Sequence, residues 1–375
     1  MRIVHMTSVH PWDDNRIFNK MCRALAKMGN EVHLVSVMNP DQDGQMADGV
    51  TLHAINKPMR RRERFLKTTP NVLEKARMIN ADVYHFHDPE FLSYITKFRM
   101  RVKKPVVYDA HENYPAAILS KGWIPKLCRP SVSRAVDLFE QRWVMNIDGV
   151  IVAWPKIMER FSKHPHKILI NNYPYQDELN STDVTETERN SGLFVYVGGL
   201  SSIRGILEMI KAVEMGRGKF KLVLGGNWTS DAYKNKCQAE PGWQYCEYKG
   251  YVDRNEMRKL YAHAQAGLIA FFPEPNHIYS MPNKIFEYMS ASLPVIASEL
   301  PMQQSIVADV GCGLIADARS PEEIYKKMCW LFDHPDSAEK MGKAGQKAVK
   351  EKYNWEQEVQ KLIAFYKTIL KTKTL

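Results

Sequence analysis

The feature that most constrains the fold is an alternation. Short apolar runs rich in β-branched residues recur along the chain, most of them separated by segments of helical periodicity. In the first half they are Arg2–Thr7, Glu31–Val37, Val50–Ile55, Asp82–His87, Pro105–His111, Gly149–Ala153 and Lys167–Ile170. In the second half they are Leu193–Val197, Lys221–Leu224, Tyr245–Tyr248, Gly267–Phe271, Leu293–Ala297 and Gly313–Ala316. Alternation of this kind means βαβ units and an α/β fold of doubly wound parallel sheets. The first helix is the clearest, with Ile17, Met21, Ala24, Leu25 and Met28 on one face and Gly29 ending it. A chain of 375 residues is long for one core and suits two domains. Residues 173–191 are polar, acidic and weakly periodic, which makes them the best boundary. The expected organisation is one domain over 1–172, a linker over 173–191 and a second domain over 192–354.

The second half carries the most chemistry. Ser280 to Ser298 reads as loop, helix and strand. Pro282 suits the first position of a helix, where a missing N–H costs nothing. In an open α/β sheet that helix starts on the carboxyl edge, where ligands bind. A helix start favours anions, and Lys284 puts a cation in its first turn. Lys284 and Glu287 then read in two ways. They form an exposed i,i+3 pair, or Lys284 and the helix start hold phosphates while Glu287 accepts two hydroxyls of a sugar diol. The first turn of this half is Gly198-Gly199-Leu-Ser-Ser-Ile-Arg204-Gly205. Its glycines allow close backbone approach, and Arg204 offers a fork to two phosphate oxygens.

In the first half, a Gly-x-Gly-x-x-Gly after the first strand is absent, and the turn reads His10-Pro-Trp-Asp-Asp14-Asn-Arg16-Ile17-Phe. Asp14 fits a helix N-cap with Arg16 solvated; the preferred reading makes Arg16 a contact across a cleft. Two later strands end in Tyr84-His-Phe-His87-Asp88-Pro-Glu90 and Tyr108-Asp-Ala-His111-Glu112-Asn-Tyr-Pro115. Neighbouring parallel strands release their loops on one edge, so these groups converge. Asp41-Gln-Asp43 has metal-like spacing but sits beside Gly44 and reads as a turn, so no metal site is expected.

Pro282-x-Lys284-x-Phe286-Glu287-Tyr-Met, followed by Pro294-Val-Ile-Ala297, resembles the donor segment of the GT4 family of retaining glycosyltransferases, which have the GT-B fold. Asp14-x-Arg16-Ile17 resembles the signature of one subgroup, and the family pattern covers nearly the whole chain. The resemblance implies two Rossmann-like domains facing an interdomain cleft, with the last helix, 355–375, packing back on the first. It implies that Glu287 binds the ribose of a nucleotide-sugar, with Tyr279, Ser280, Met281, Pro282 and Asn283 forming the approach. Many members carry a second glutamate eight positions earlier; here that place is Tyr279, with Glu274 as a possible substitute. The family's first diphosphate cation is replaced by Gly199, leaving Arg204 and Lys284 for that role. The Tyr251–Val252 backbone is implied for the nucleobase and His111 for the donor sugar, with His87, Asp88 and Glu112 in support. The expected activity is transfer of a sugar from a UDP- or GDP-sugar to a hydroxyl of a glycan or lipid-linked acceptor, with retention and front-face attack. Capsule, O-antigen or exopolysaccharide synthesis is the implied setting. No cofactor or metal is expected. An epimerase or phosphorylase on the same fold is the first alternative.

A net charge of +10 asks for a polyanionic partner. The densest basic run, Arg60-Arg61-Arg62-Glu-Arg64-Phe65-Leu66-Lys67, adjoins apolar residues, as does Lys121-Gly-Trp123-Ile-Pro-Lys126-Leu127. A solvated loop is the default for such runs, but this mixture also suits docking on an anionic lipid surface. No recognised nucleic-acid motif accompanies the charge, so nucleic acid is the weaker partner. No apolar run approaches the ~20 residues of a membrane span. The first residues read as a strand and not a signal peptide, and six scattered cysteines suit a reducing compartment. The expected location is cytoplasmic, peripheral at the inner face of the bacterial plasma membrane.

Overall fold

A computed structural model of the chain describes residues 1–179, 192–275, 278, 279 and 281–374. It divides into two compact units, Met1–Asn172 with Trp355–Leu375, and Tyr173–Asn354.

The first unit is built on eight strands: β1 (Arg2–Pro11), β2 (Glu31–Val37), β3 (Met46–Ala47), β4 (Val50–Ile55), β5 (Val83–Phe86), β6 (Val106–Ala110), β7 (Gly149–Val152) and β8 (Lys167–Leu169). Their order is β3-β4-β2-β1-β5-β6-β7-β8, parallel except for β3. The two-residue β3 carries no periodic signal and exists only by pairing with Val50 and Thr51. β1 runs past Thr7 because Pro11 pairs with Val37 after a break in register. β5, β6 and β7 are buried along their whole lengths, as central parallel strands are when helices cover both faces. Strand order reverses at β1, which is where an α/β sheet opens its crevice.

The last helix, Trp355–Thr374, belongs to this unit. Trp355, Val359, Leu362, Ile363 and Tyr366 are all buried. The Trp355 indole N–H donates to the Lys20 carbonyl at 3.1 Å. Gly149 lets the helix approach, since a Cβ there would collide with the Phe365 ring.

The second unit has six parallel strands: β9 (Leu193–Val197), β10 (Lys221–Gly225), β11 (Cys246–Gly250), β12 (Ala266–Leu268), β13 (Val295–Ser298) and β14 (Gly313–Ala316). Their order is β11-β10-β9-β12-β13-β14, reversing between β9 and β12. The turns after β9, β10 and β11 are laced together. Gly198 N–H donates to Gly225 O (2.8 Å) and Gly226 N–H to Gly250 O (2.5 Å). A side chain at Gly226 would run into the Gly198 carbonyl. β12 stops at Leu268, short of the expected Phe271; the chain then bonds across to the first turn through Phe272 N–H to Ile203 O. Part of the expected linker is packed in this unit. Leu179 is buried, and Tyr173 meets Phe286 and Tyr353 with ring centroids 4.7 and 5.3 Å away. Residues 180–191 lie outside the described residues. Among the described residues no helix is long and apolar enough to cross a membrane.

Candidate functional site

In the second unit, helix Asn283–Ser290 begins at Pro282 and presents Lys284 in its first turn. Pro282 sits one position earlier than expected, at the cap. The Lys284 ammonium is turned inward. It donates to the Val197 carbonyl at the end of β9 and lies 5.1 Å from the Tyr196 ring centroid. This explains Gly198, where a Cβ would occupy the space of the ammonium. Burial, with the nearby charges of Arg204 and Arg254, pulls the Lys284 pKa down to about 8, and Glu287 opposes the shift. Arg204 lies over the Phe271 ring at 4.5 Å, and its charge acts on Tyr196. The Tyr196 hydroxyl donates to Gly199 O at 3.1 Å, and burial pushes its pKa up to about 12. Glu287 is 8% exposed. Its Oε1 accepts from Arg254 Nη1 at 2.9 Å, so its closest cation is Arg254 and not the Lys284 of the i,i+3 reading. Arg204, Lys284 and Glu287 therefore gather where the sheet reverses.

The remaining donor-side residues differ in exposure. Gly199 is open to solvent, Val252 is buried and Tyr251 is 75% exposed after the left-handed Gly250. Met281 packs against the core, Asn283 is half-buried and Tyr279 is exposed. Glu274 is half-buried, and its carbonyl accepts from Ile278 N–H. Ser280 lies outside the described residues.

In the first unit, the side chains at the ends of β1, β5 and β6 converge on Asp109, a residue the sequence reading passed over. Arg16 Nε and Nη2 each donate to one Asp109 oxygen at 2.8 Å, and Nη2 also reaches Ile170 O at 3.1 Å. Arg16 is 6% exposed. It is consumed by a bidentate pair inside its own unit, which corrects the expected contact across a cleft. Asp14 is the N-cap, accepting from Arg16 and Ile17 N–H at 2.8 and 2.9 Å. His87 Nδ1 stands 3.0 Å and His111 Nδ1 3.4 Å from Asp109 Oδ2. Burial alone would raise the Asp109 pKa, but Arg16 overcomes it and holds the carboxyl well below its usual range. With Asp109 ionised, His87 donates through Nδ1, and its Nε2 accepts from His5 Nδ1 at 3.0 Å. His85 Nδ1 meets the Tyr366 hydroxyl at 2.6 Å. Burial keeps His5 and His85 well below the ordinary imidazole value and brings His87 down to about 3.

Asp88 is fully buried and accepts from Ser8 N–H (2.6 Å) and the Thr7 hydroxyl (2.9 Å), stapling the end of β1. Glu112 is exposed. His10 joins the group unannounced: its Nδ1 lies 3.3 Å from Asp14, and its ring centroid is 5.1 Å from that of His111. Burial lowers its pKa, but Asp14 and Asp88 outweigh that and raise it, while Asp14 falls to about 2. Two sets among the described residues have metal-like spacing, His5 with His85 and His87, and His87 with Asp109 and His111. Asp109 is already met by Arg16 and His87, and His87 by Asp109 and His5.

The basic segments of the first unit meet: Arg61 lies 4.9 Å above the Trp123 ring. Arg60, Arg61 and Arg62 are exposed, beside Met59 (92%), Leu66 (65%), Trp123 (65%) and Leu127 (95%). Arg64 instead pairs with Glu90, and Phe65 leans on Tyr94.

Two parallel α/β units, each with side chains gathered where its sheet reverses, define a GT-B fold. Residues 15–166 match the profile of the glycosyl transferase 4-like domain, and residues 179–348 that of glycosyl transferases group 1. The chain belongs to the group 1, GT4-type family of glycosyltransferases. The D-rhamnosyltransferase WbpZ of Pseudomonas aeruginosa is 22% identical over 273 residues, 70% of this chain and 67% of its own. The O-antigen chain mannosyltransferase B of Escherichia coli is 26% identical over 184 residues, 48% of this chain and 46% of its own. The chain thus spans about two thirds of the length of the first and about half of the second. The solved structure of Anabaena HepE in complex with UDP and glucose is 12% identical and superposes with a TM-score of 0.74, over 98% of this chain and 100% of that one.

Proposed function

We propose that this chain transfers a sugar from a UDP- or GDP-sugar to a hydroxyl of a glycan or lipid-linked acceptor, with retention, in the synthesis of a bacterial capsule, O-antigen or exopolysaccharide. The observation that carries the donor half is the grouping of Arg204, Lys284 and Glu287 around Tyr196 at the reversal of the second sheet. Phosphates suit the two cations and the helix start, and a ribose diol suits the carboxylate. Arg204 and Lys284 stabilise the charge that develops on the departing diphosphate. The anomeric C–O bond to phosphate breaks as the acceptor oxygen bonds from the same face. The acceptor's proton leaves with the diphosphate. These cations supply the charge that a divalent ion supplies in other designs, so activity is expected to survive a chelator. His111 is assigned to the donor sugar. The relatives named for O-antigen mannose and for D-rhamnose support a surface glycan as acceptor.

The test is a thermal-shift panel of nucleotide-sugars and nucleoside diphosphates, since a ligand of the folded state raises its midpoint. At least one UDP or GDP compound should do so. Glu287→Ala and Arg204→Ala should each weaken that binding, and Arg204→Ala should slow transfer by about a hundredfold. No shift across the panel, or full affinity in Glu287→Ala, would overturn the reading.

The same proposal places the chain in the cytoplasm, peripheral on the inner membrane face. The contact between Arg61 and Trp123 supports it by joining the two basic, apolar segments into one patch. Reversing the charges of Arg60, Arg61 and Arg62 should abolish binding to anionic vesicles at low salt; undiminished binding would remove the patch from consideration.

A further inference from the structure

Arg254 is a cation of the second unit, paired with two carboxylates, that the donor reading leaves without a task. It is the first residue of helix Arg254–His263, capped by Asp253 with Glu256 closing the capping box. A cation in a first helical turn works against the macrodipole, so compensation is needed. Two carboxylates provide it, from opposite sides. Glu287 Oε1 accepts from Nη1 at 2.9 Å, and Glu178 Oε1 stands 3.3 Å from Nε. Glu178 is itself fixed, its Oε2 accepting from Tyr175 N–H at 3.1 Å and its carbonyl from Arg258 at 3.1 Å. The Glu287 side chain is 11% exposed and that of Arg254 38%. The guanidinium thus reaches from the solvent edge to a carboxylate that is nearly enclosed. A carboxylate at that depth needs a cation to stay ionised at low cost.

We propose that Arg254 is the positioning residue for the donor's ribose: bracketed by Glu178, it holds the Glu287 carboxylate ionised and in one orientation, so that the site grips a vicinal diol and discriminates against deoxyribose. This rests on the reading of Glu287 as the ribose ligand. Arg254 acts through Glu287 and not on the phosphates, which belong to Arg204 and Lys284. Its loss should therefore change which sugar ring is preferred, not how the diphosphate is held.

The experiment compares dissociation constants of uridine and guanosine diphosphates with those of their deoxyribose counterparts. Wild type is expected to favour the ribose form by about tenfold, the value of one hydrogen bond to a charged group. Arg254→Met should lose that preference by weakening only the ribose form, and Arg254→Lys should restore part of it. Deoxyribose affinity should stay within about twofold of wild type in both. If Arg254→Met keeps the wild-type ratio, or weakens both forms equally, the inference is overturned. Should the Met variant fail to fold, Arg254→Lys decides alone: it must lie between wild type and Glu287→Ala in the ratio. A wild-type ratio of one, or a ratio untouched by Glu287→Ala, would sink the ribose reading itself. A ratio lost in Glu287→Ala but intact in Arg254→Met sinks only the role of Arg254.

Discussion

The two strand-end clusters handle charge in opposite ways. In the first unit, one arginine meets one aspartate in a bidentate pair, and the buried imidazoles around it are held neutral. In the second unit three cations, Arg204, Lys284 and Arg254, gather, and the two carboxylates among them, Glu287 and Glu178, both pair with Arg254. Lys284 satisfies itself on a backbone carbonyl and Arg204 lies on the Phe271 ring. A closed pair gives rigidity, because breaking it strands a buried charge. An excess of cations held by weak partners gives an anion site, because an arriving phosphate replaces little. The first cluster fixes geometry, and the second is suited to receive a ligand.

Three measurements can break or sharpen this contrast. The largest effect is expected for Asp109→Ala, which leaves Arg16 buried without its partner and should cost about 3–5 kcal/mol in denaturant unfolding. Arg204→Ala should cost less than about 0.5 kcal/mol in the same assay. Equal costs would erase the distinction.

The next effect is acid sensitivity. The folded pKa of His87, about 3, lies below the unfolded value of 6.5, so the unfolded chain takes up the proton first as pH falls. Its contribution to stability is whole above 6.5 and is lost as pH drops toward about 3. His5 and His85 act in the same direction. Thermal melts should be level from about pH 8 to 6.5 and fall from there to pH 5, with His87 accounting for about 2 kcal/mol at pH 5. A flat profile would mean that these imidazoles accept protons in place.

The smallest effect concerns Lys284. With its pKa near 8, it loses its charge as pH rises through that value. Nucleoside diphosphate affinity should therefore fall by up to about tenfold between roughly pH 7 and 9. Lys284→Met should bind more weakly at neutral pH and lack this slope. An unchanged slope would assign the titration to another group.

How much of this was legible depends on how local the signal is. Central strands such as β5, β6 and β7 were readable because a buried parallel strand writes its burial into a continuous apolar run. The two-residue β3 was not, since pairing alone makes it a strand. Arg204 and Lys284 were candidates from a glycine turn and a helix start, whereas spacing left Lys284 and Glu287 with two readings and only the family resemblance chose between them. Asp109 was missed although it stands two residues before His111, on the same strand face by period-two alternation. Arg254 was missed although Asp253-x-x-Glu256 is a capping-box pattern that sets it at a helix start, two residues after Val252. In both cases the missing information was the partner, which lies 93 residues away for Asp109 and 33 for Arg254.

The sequence by itself determined two doubly wound sheets, the turns at which each would open, and the residue types offered there. Periodicity, glycines and caps act over a few residues, and such signals survive without a folded chain. The tertiary structure alone decided which charge meets which. It buried Arg16 on Asp109, turned Lys284 onto the Val197 carbonyl and gave Glu287 to Arg254. Charges choose partners by distance and desolvation, and both are set only when distant strands and helices are brought side by side.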